Sequence, residues 1–334
     1  MVTISTKELQ GAFIIPHYAD GSTPEFQKKV IDDTINGIFN QTDNSWKAII
    51  IDDCSTDKNI IEHLKNIKNN FPEKIEVKFL TQNVGPGICR NIGVLWALKQ
   101  GCDILLFNDS DDISHPKRLE IVKDIFQQDS NIGLIYSTFM VIDENNNLTP
   151  LEKISPPILE ILESHKRKPL EGKDVWIKMG TDNGYTNKTS STAVRTNIAY
   201  HCLFPNERAS EDYHTWMRMS AYGAYYRYTP IIPTKYRIPS FMKYQMSRTR
   251  IGPNNFNKIK SRVDSDGFSK AIEMALIKGS IKPQDVPILK TKFYRRLASS
   301  MHIDGEIELE KELLAIAESF SIEGKLYINN YAGI

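Results

Sequence analysis

The densest group of reactive side chains in this 334-residue sequence is the acidic turn Asn108-Asp109-Ser110-Asp111-Asp112. It follows the apolar run Cys102 to Phe107, which the pattern predicts to be a buried strand. Carboxylates this close repel one another unless a cation or hydrogen-bond donors compensate. Mg²⁺ or Mn²⁺, held by one or two carboxylates and by ligand phosphate oxygens, is a natural partner. The structural alternative is that these acids cap the helix predicted after Pro116.

A second acidic pair, Asp52-Asp53, ends another predicted strand, Lys47 to Ile51. An ionised carboxylate accepts hydrogen bonds, so one of the pair could bind the N–H groups of a nucleotide base. Capping is again the alternative, because the residues from Ser55 to Asp57 are strong N-cap types ahead of a helix predicted from Ile60.

A glycine-rich segment, Asn83 to Gly93, joins the third predicted strand to a helix and contains Gly87 and Arg90. Its glycines permit close approach of a ligand to the backbone, and N–H groups at a helix N-terminus favour anions. Arg90 could hold a phosphate or brace the acidic turn. A simple helix entry explains the glycines equally well.

The elements that position these residues alternate between strand and helix from residue 12 to about 143, which predicts an α/β fold with a mostly parallel sheet covered on both faces. The carboxyl ends of parallel strands share one edge, where ligands bind in open α/β sheets. The predicted strands are Ala12–Ile15, Lys47–Ile51, Glu76–Leu80, Cys102–Phe107 and Ile132–Asp143, and the predicted helices are Pro24–Phe39, Ile60–Phe71, Gly87–Gly101 and Pro116–Gln127.

Beyond residue 150 the pattern is looser, and residues 150–190 are rich in Pro, Lys and Glu. A short strand is predicted at Ser190–Arg195 and a helix at Glu211–Tyr222. The last eighty residues are predicted to be helical, with helices at Gly267–Lys278, Pro287–Ser300 and Glu306–Phe320.

Composition narrows the functional classes. Forty-two basic and forty-one acidic residues give a net charge of +1, so no global field favours nucleic acid. Four scattered cysteines without a C-x-x-C pair predict reduced thiols in the cytoplasm. The N-terminus lacks the pattern of a signal peptide, and no run of about 18 apolar residues occurs. We therefore expect neither secretion nor a membrane span.

The order of the motifs resembles a known family. Ile15-Pro-x-Tyr18, Asp-Asp-x-Ser-Thr-Asp at 52–57, the glycine-rich segment and the acidic turn are similar to the GT-A nucleotide-diphospho-sugar transferase fold, and within it to glycosyltransferase family 2. Glu211-Asp212-x-x-x-Trp216-x-Arg218 resembles that family's acceptor-side motif. The resemblance covers roughly residues 10–250. It implies a GT-A domain over 1–250, with a nucleotide-sugar-binding half (10–115) and an acceptor-binding half (116–250), and a helical region over 251–334.

The resemblance also implies roles for particular residues. Asp111, with Asp109, would bind Mn²⁺ or Mg²⁺. Asp212 would be the general base of an inverting hexosyl- or N-acetylhexosaminyltransferase, and Glu211 would support the acceptor. The residues implied to contact the donor nucleotide, a UDP-sugar by expectation, are Pro16, Tyr18, Asp52, Asp53, Asn83, Gly87, Arg90, Asp109, Ser110 and Arg248.

The sequence departs from the family in one respect. Members often carry a histidine after the position of Tyr236-Arg237, whereas Ile238-Pro239 follows here, so a third protein ligand to the metal is in doubt. Lys243, Arg248 or Arg250 could hold the diphosphate instead when a loop closes.

Three other functions fit the sequence less well. A sugar nucleotidyltransferase carries a basic glycine-rich loop after its first strand, but Pro16-His-Tyr-Ala-Asp-Gly21 lacks lysine and arginine. A dinucleotide-binding dehydrogenase requires G-x-G-x-x-G at that place. A non-catalytic nucleotide-sugar-binding module is disfavoured by intact Asp111 and Asp212. The acceptor is expected to be a glycan, a lipid-linked sugar or a protein. Peripheral association with the inner membrane face and homodimerisation through the C-terminal helices are left open.

Overall fold

The architecture comes from a computed structural model, which describes residues 8–241 and 246–332. Contacts divide the chain into two compact units. The first, here the sheet unit, comprises the described parts of Met1–Ile154 with Asn187–Leu203 and Tyr228–Pro239. The second, here the helical unit, comprises the described parts of Ser155–Thr186, Phe204–Arg227 and Ser240–Ile334. Both units are therefore assembled from separate stretches of sequence.

Seven strands form one sheet in the order β3-β2-β1-β4-β6-β5-β7. The pairs β1–β2, β1–β4 and β2–β3 are parallel, whereas β6 runs antiparallel to both β4 and β5, so the sheet is mixed. The strands are β1 (Gly11–His17), β2 (Trp46–Asp52), β3 (Ile75–Phe79), β4 (Ile104–Phe107), β5 (Ile132–Ile142), β6 (Thr192–Arg195) and β7 (Tyr225–Arg237).

Twelve α-helices lie within the described residues. They are α1 (Pro24–Phe39), α2 (Lys58–Asn70), α3 (Pro86–Lys99), α4 (Arg118–Gln128), α5 (Pro156–Arg167), α6 (Val175–Lys178), α7 (Thr196–His201), α8 (Glu211–Tyr222), α9 (Met246–Ile251), α10 (Pro253–Lys278), α11 (Val286–Ile303) and α12 (Ile307–Ala332). None of those described is long and apolar enough to cross a bilayer.

The core of the sheet unit is built on β1 and its parallel neighbours. Every residue of β1 and β4 is buried, as expected for strands covered on both faces. Helix α3 packs closely on β1 because Gly93 lacks a side chain: a Cβ there would lie 2.3 Å from Cγ2 of Ile14. This close packing fixes the N-terminal turn of α3 relative to the ends of the parallel strands.

The helical unit has an aromatic core where α8 packs on α10. The rings of Phe268 and Phe293 stack with centroids 4.3 Å apart, which joins α10 to α11, and Trp176 contacts Phe268 at 5.5 Å. Trp216 is fully buried within α8. Helix α8 is thus held from several sides.

The predicted alternation of strands and helices is confirmed from β1 to β5. Five of the α-helices and strands were not predicted: α5 and α6, which lie in the segment rich in Pro, Lys and Glu, α7, α9, and β7, which follows α8. Helix α10 also begins at Pro253, well before the predicted Gly267. The division of the chain at residue 250 stays a prediction.

Candidate functional site

The acidic turn lies directly after the carboxyl end of β4, beside the carboxyl end of β1. Strand order reverses between these two strands, since β2 and β3 lie on one side of β1 and β4 lies on the other. Open α/β sheets bind ligands in the crevice formed at such a switch point. Residues 16–20 and 108–112 occupy the two sides of that position.

The acidic turn is held by its own first residue. Asn108 is fully buried, and its side-chain amide donates to the carbonyls of Asp109 (2.9 Å) and Asp112 (3.1 Å). The N–H of Asp112 donates to the carbonyl of Asp109, which closes a tight turn. The side chains of Asp109, Ser110 and Asp111 remain half-buried, so the turn presents them at the sheet edge.

Arg237, at the end of β7, anchors the same turn from outside it. Its Nε donates to the carbonyl of Asp111 at 2.8 Å, and its backbone N–H donates to Oδ1 of Asp112 at 2.8 Å. The guanidinium is fully buried and forms an ion pair with Asp33 at 3.0 Å. Its remaining bonds go to the carbonyl of Asp143 and to Oδ1 of Asn146. This set of charge-assisted bonds fixes the backbone at Asp111.

Asp112 and Arg118 lie beneath the exposed part of the turn. Burial raises the pKa of Asp112 well above its usual value, and the nearby charges of Asp111 and Asp109 raise it further. Burial lowers the pKa of Arg118 to about 9. The Arg118 guanidinium donates to the carbonyls of Phe107 (3.0 Å) and Thr192 (2.9 Å). These groups support the strand end, and the helix-capping alternative is wrong, because α4 begins after Lys117 without a side-chain cap.

Arg90 braces the acidic turn, which is one of its two predicted roles. Its Nη2 lies 2.8 Å from Oδ1 of Asp109, and the Arg90 side chain is only 4% exposed. The backbone N–H of Asp109 also donates to the hydroxyl of Ser190 at 2.9 Å. Asp109 is therefore oriented from two sides, while Asp111 carries the neighbouring carboxylate.

The donor set at the turn suits a hard divalent cation bound together with a ligand. Among the described residues, no group of three or more His, Cys, Asp or Glu could hold a metal ion. Two neighbouring carboxylates, Asp109 and Asp111, match the usual mode of Mg²⁺, which takes one or two carboxylates and completes its shell with water and phosphate oxygens. The residues present therefore fit an ion that binds with a diphosphate.

Asp53 organises the glycine-rich segment rather than pointing into open space. Its two carboxylate oxygens accept from the backbone N–H groups of Val84 (2.6 Å) and Gly85 (2.8 Å), and its carbonyl accepts from the amide of Asn83. Gly85 has φ of +89° and forms the N-cap of α3, a conformation that favours glycine. Asp53 thus fixes the backbone that leads into α3, and Gly87 is buried within that helix.

Asp52 lies in a different local network. It accepts from both the N–H (3.1 Å) and the hydroxyl (2.5 Å) of Ser55. Burial raises the pKa of Asp52, the bonds from Ser55 oppose this, and the charge of Asp53 adds to it. Helix α2 is capped by Asp57, whose carboxylate accepts from Asn59 and Ile60, so the capping role in this segment belongs to Asp57.

Pro16 and Tyr18 lie at the end of β1, next to the acidic pair. Pro16 is buried in register with Ile51, and the carbonyl of the adjacent His17 accepts from the N–H of Asp53 at 2.8 Å. Tyr18 is half-buried just beyond the strand. The predicted nucleoside wall and acidic pair are therefore brought together at one sheet edge.

Glu211 and Asp212 begin α8 in the helical unit. Ser210, which precedes them, has φ of +62° although it is not glycine, and Glu211 is buried. Asp212 is half-buried, and Tyr185 lies with its hydroxyl 3.4 Å from Oδ1 of Asp212. The strained residue and the half-buried acid mark this helix start as a candidate catalytic position.

Two of the basic residues predicted to hold a diphosphate, Arg248 and Arg250, lie in the helical unit. Arg248 pairs with Asp304, with Nη2 and Oδ1 3.3 Å apart, and its guanidinium lies 5.5 Å from the ring of Phe256. Arg250 is exposed at the end of α9. Lys243 lies outside the described residues.

His214 lies in the first turn of α8. Its hydrogen-bond partners indicate a structural role. Its Nδ1 accepts from Nε of Arg218 (3.0 Å), and its Nε2 lies 2.8 Å from Asp266. Burial, reinforced by the charge of Arg218, lowers the pKa of His214 to about 4. The imidazole is therefore neutral in the folded protein at pH 7.

The lowered pKa of His214 predicts that the free energy of unfolding decreases in acid. Because the folded-state pKa of His214 lies below that of the unfolded chain, the unfolded chain binds the proton first as pH falls from about 6.5 to 4, and stability decreases over that window. The expected loss is about 3 kcal/mol for this group. Urea unfolding at pH 7 and pH 4.5 measures it, with His214→Gln as the comparison. The variant should lose less stability on acidification, and an identical pH dependence would contradict the assignment.

Several residues of the site were not found from the sequence. Arg237, Ser190 and Arg118 hold the acidic turn through contacts with residues 10 to 126 positions away. Tyr185 and Asp264 were likewise not singled out beside Asp212. Arg237 stands beside a motif in the sequence, but its complete burial has no local signal there.

Comparison with known proteins shows which family this chain resembles. The model of glycosyl transferase family 2 matches residues 13–190. An uncharacterized glycosyltransferase of Methanocaldococcus jannaschii is 28% identical over 218 residues, which is 65% of this chain and 69% of that protein. A putative teichuronic acid biosynthesis glycosyltransferase of Bacillus subtilis is 30% identical over 39% of this chain and 49% of that protein, and an uncharacterized glycosyltransferase of Haemophilus influenzae is 31% identical over 34% of this chain and 36% of that protein, so the chain spans half or less of each.

Two solved structures share the fold. TarS 1–349 of S. aureus in complex with UDP has a TM-score of 0.54 at 14% identity, covering 94% of this chain and 92% of that one. A mannosyltransferase of Pyrobaculum calidifontis in complex with GDP-Man and Mn²⁺ has a TM-score of 0.54 at 15% identity, covering 96% and 76%. At these identities the likeness concerns the fold.

Proposed function

This chain belongs to glycosyl transferase family 2 and is a glycosyltransferase, and from that premise we propose that it transfers a sugar, with inversion, from a UDP-linked donor to a hydroxyl group. The acceptor is a glycan, a lipid-linked sugar or a protein. The observation that carries the proposal is the acidic turn at the β1/β4 switch point, whose backbone is fixed by Arg237 and whose Asp111 carboxylate lies at the sheet edge.

The donor side of the proposal uses the sheet unit. Pro16 and Tyr18 line the nucleoside, and Asp52 and Asp53 face its base and ribose. Because both oxygens of Asp53 already hold the backbone at Val84 and Gly85, its contribution is to position the segment that approaches the donor. The similar structures solved with UDP and with GDP-Man support a nucleotide-diphosphate sugar as the donor class.

Asp111, with Asp109, would hold Mn²⁺ or Mg²⁺. When bound, such an ion neutralises charge on the departing diphosphate. Arg90 keeps Asp109 oriented through their 2.8 Å ion pair, and Ser190 does so through the backbone. This pre-set geometry lowers the reorganisation needed when the donor binds.

Asp212 would remove the proton from the acceptor hydroxyl. The oxygen attacks the anomeric carbon from the face opposite the leaving diphosphate, so the bond to the new sugar forms as the bond to the diphosphate breaks, and the proton passes to the Asp212 carboxylate. Such general-base assistance contributes roughly 10²–10⁴-fold in rate. Glu211, buried at the start of α8, would support the acceptor side.

Calorimetric titration tests the donor assignment directly. We expect UDP to bind more tightly in the presence of Mn²⁺ than in EDTA, and UMP, which lacks the second phosphate, to show a much smaller metal effect. GDP serves as the competing nucleotide. Tighter binding of GDP than of UDP would overturn the UDP assignment, and a lack of metal-dependent binding by either nucleotide would overturn the proposed metal site.

A further inference from the structure

The hydroxyl of Tyr185 has two acceptors and a single proton. Ser210 donates its hydroxyl proton to Oδ1 of Asp264, so the short bond between the hydroxyls of Tyr185 and Ser210 must be donated by Tyr185. The same Tyr185 oxygen lies 3.4 Å from Oδ1 of Asp212. Tyr185 can therefore donate its single hydrogen bond to Ser210 or to Asp212, whichever is the stronger acceptor.

The far end of this chain of bonds is fixed. Asp264 on α10 is fully buried, and its second oxygen forms an ion pair with Lys260 at 2.7 Å. The Lys260 ammonium also lies 5.7 Å from the centre of the Tyr185 ring. A buried, ion-paired carboxylate keeps Ser210 oriented as a donor, which leaves the Ser210 oxygen as an acceptor for Tyr185.

The Tyr185 ring is held rigidly. It stacks on Tyr213 with centroids 4.5 Å apart and an interplanar angle of 20°. Tyr213 is in turn fixed by its hydroxyl, which donates to the carbonyl of Met179 at 2.6 Å. Small movements of the hydroxyl hydrogen can thus change its partner while the ring stays in place.

We infer that Tyr185 is a positioning residue for Asp212, donating to the carboxylate while it is ionised and turning to Ser210 once Asp212 has accepted a proton. This inference rests on the proposed role of Asp212 as the general base. The negative charge of an ionised carboxylate makes it the stronger acceptor, whereas a protonated carboxyl group can donate to the Tyr185 oxygen itself. This change of hydrogen-bond partner stabilises the ionised form of Asp212, which is the form that accepts a proton.

The surroundings keep Tyr185 available as a donor. Burial raises its pKa well above the usual value, and the charges of Asp212, Asp264 and Glu211 raise it further. The hydroxyl therefore keeps its proton while a carboxyl group titrates. Charged groups that interact with the residues around the start of α8 include Glu211, Asp264, Lys260, Asp266, Lys270, Arg218 and Arg296.

Tyr185→Phe tests the inference, because it removes the hydroxyl and keeps the stacked ring. The readout is the titration midpoint of the Asp212 side chain, followed by ¹³C NMR of protein labelled at the aspartate carboxyl carbon and assigned with Asp212→Asn. Loss of a donor to the ionised form moves that midpoint to higher pH, by about 1 pH unit. Tyr294→Phe, the same change in a half-buried tyrosine that stacks on Phe320, should leave it in place.

A second variant should shift the midpoint the other way. Ser210→Gly removes the competing acceptor and suits the positive φ at this position, so Tyr185 would donate to Asp212 alone and the midpoint should fall. An unchanged midpoint in Tyr185→Phe, or a shift of the same sign in both variants, overturns the inference.

The pH dependence of donor hydrolysis separates this inference from the proposed function. With UDP-N-acetylglucosamine and GDP-mannose as probes, the acidic limb for whichever is hydrolysed should move with the NMR midpoint in Tyr185→Phe. Retained turnover in Asp212→Asn would remove the proposed base, whatever Tyr185 does. Loss of turnover in Asp212→Asn together with an unmoved limb in Tyr185→Phe would remove only the positioning role.

Discussion

Replacement of Asp212 by asparagine is expected to reduce sugar transfer by about 10²–10⁴-fold while leaving nucleotide binding intact. Asparagine has nearly the same shape as aspartate but cannot accept the proton of the acceptor hydroxyl. The backbone N–H of Tyr213, which lies 2.7 Å from Oδ1 of Asp212, can still be satisfied by the amide oxygen, so α8 should keep its start. Release of nucleotide diphosphate and UDP affinity, measured on the same preparation, check the two parts of this expectation.

The matched control for Asp212 is Asp182→Asn, which makes the same change at an exposed acid of the helical unit. It should transfer sugar at the wild-type rate. Turnover close to wild type in Asp212→Asn would show that another group takes the proton. A loss of UDP affinity in this variant would instead indicate a role in donor binding, and the assignment as base would then fail.

The GT-A fold implied by the resemblance is confirmed, and the first half of the fold was predictable from periodicity alone. Helix α1 has the predicted bounds because its apolar residues repeat at helical spacing, and β1 and β2 are continuous apolar runs typical of central parallel strands. Each of these signals is local, since it depends on neighbours within one element. The mostly parallel sheet was predicted, but not which strands run antiparallel, because strand direction after β4 is set by long connections.

Strand β7 shows why the rest was harder. Its sequence contains Pro230 and Pro233, which argue against a strand in the interior of a sheet. The strand lies at the edge, where proline is tolerated because one side of the backbone needs no ladder partner. Helix α5 was missed for a related reason, as its two prolines, Pro156 and Pro157, sit in the first turn, where they are compatible with a helix.

The candidate site likewise has residues that the local sequence predicts and residues that it does not. The acids of the turn were found because they are consecutive in sequence, and so were Asp52 and Asp53. Their supports were not, since Arg237 reaches Asp111 across 126 positions and Ser190 reaches Asp109 across 81. A buried arginine that donates to backbone carbonyls has no local pattern. The sequence therefore identified the groups that we propose to bind donor and metal, and the structure identified those that hold them in place.

Asp111→Asn is expected to abolish most of the metal dependence of UDP binding. Asparagine removes the negative charge and one strong oxygen ligand at the position proposed to hold the cation. Even changes outside the ligand shell cost about 10–100-fold in metal affinity, so loss of a ligand should lower Mn²⁺-dependent UDP affinity by at least about 100-fold. Calorimetric titration of UDP in Mn²⁺ and in EDTA measures the ratio. Asp124→Asn, at an exposed acid of α4, is the matched control.

A variant at Asp112 is a second comparison for Asp111→Asn. Asp112 lies next to Asp111, but it is fully buried and accepts from the backbone N–H of Arg237. Its side chain supports the turn, so Asp112→Ala, which leaves the buried N–H of Arg237 without its acceptor, should lower the free energy of unfolding by about 1–3 kcal/mol. Asp111→Asn should leave that free energy nearly unchanged, since its carboxylate is half-buried and the bond from Arg237 goes to its backbone carbonyl. Equal effects of the two variants on stability and on metal-dependent binding would contradict this division between a ligand and its support.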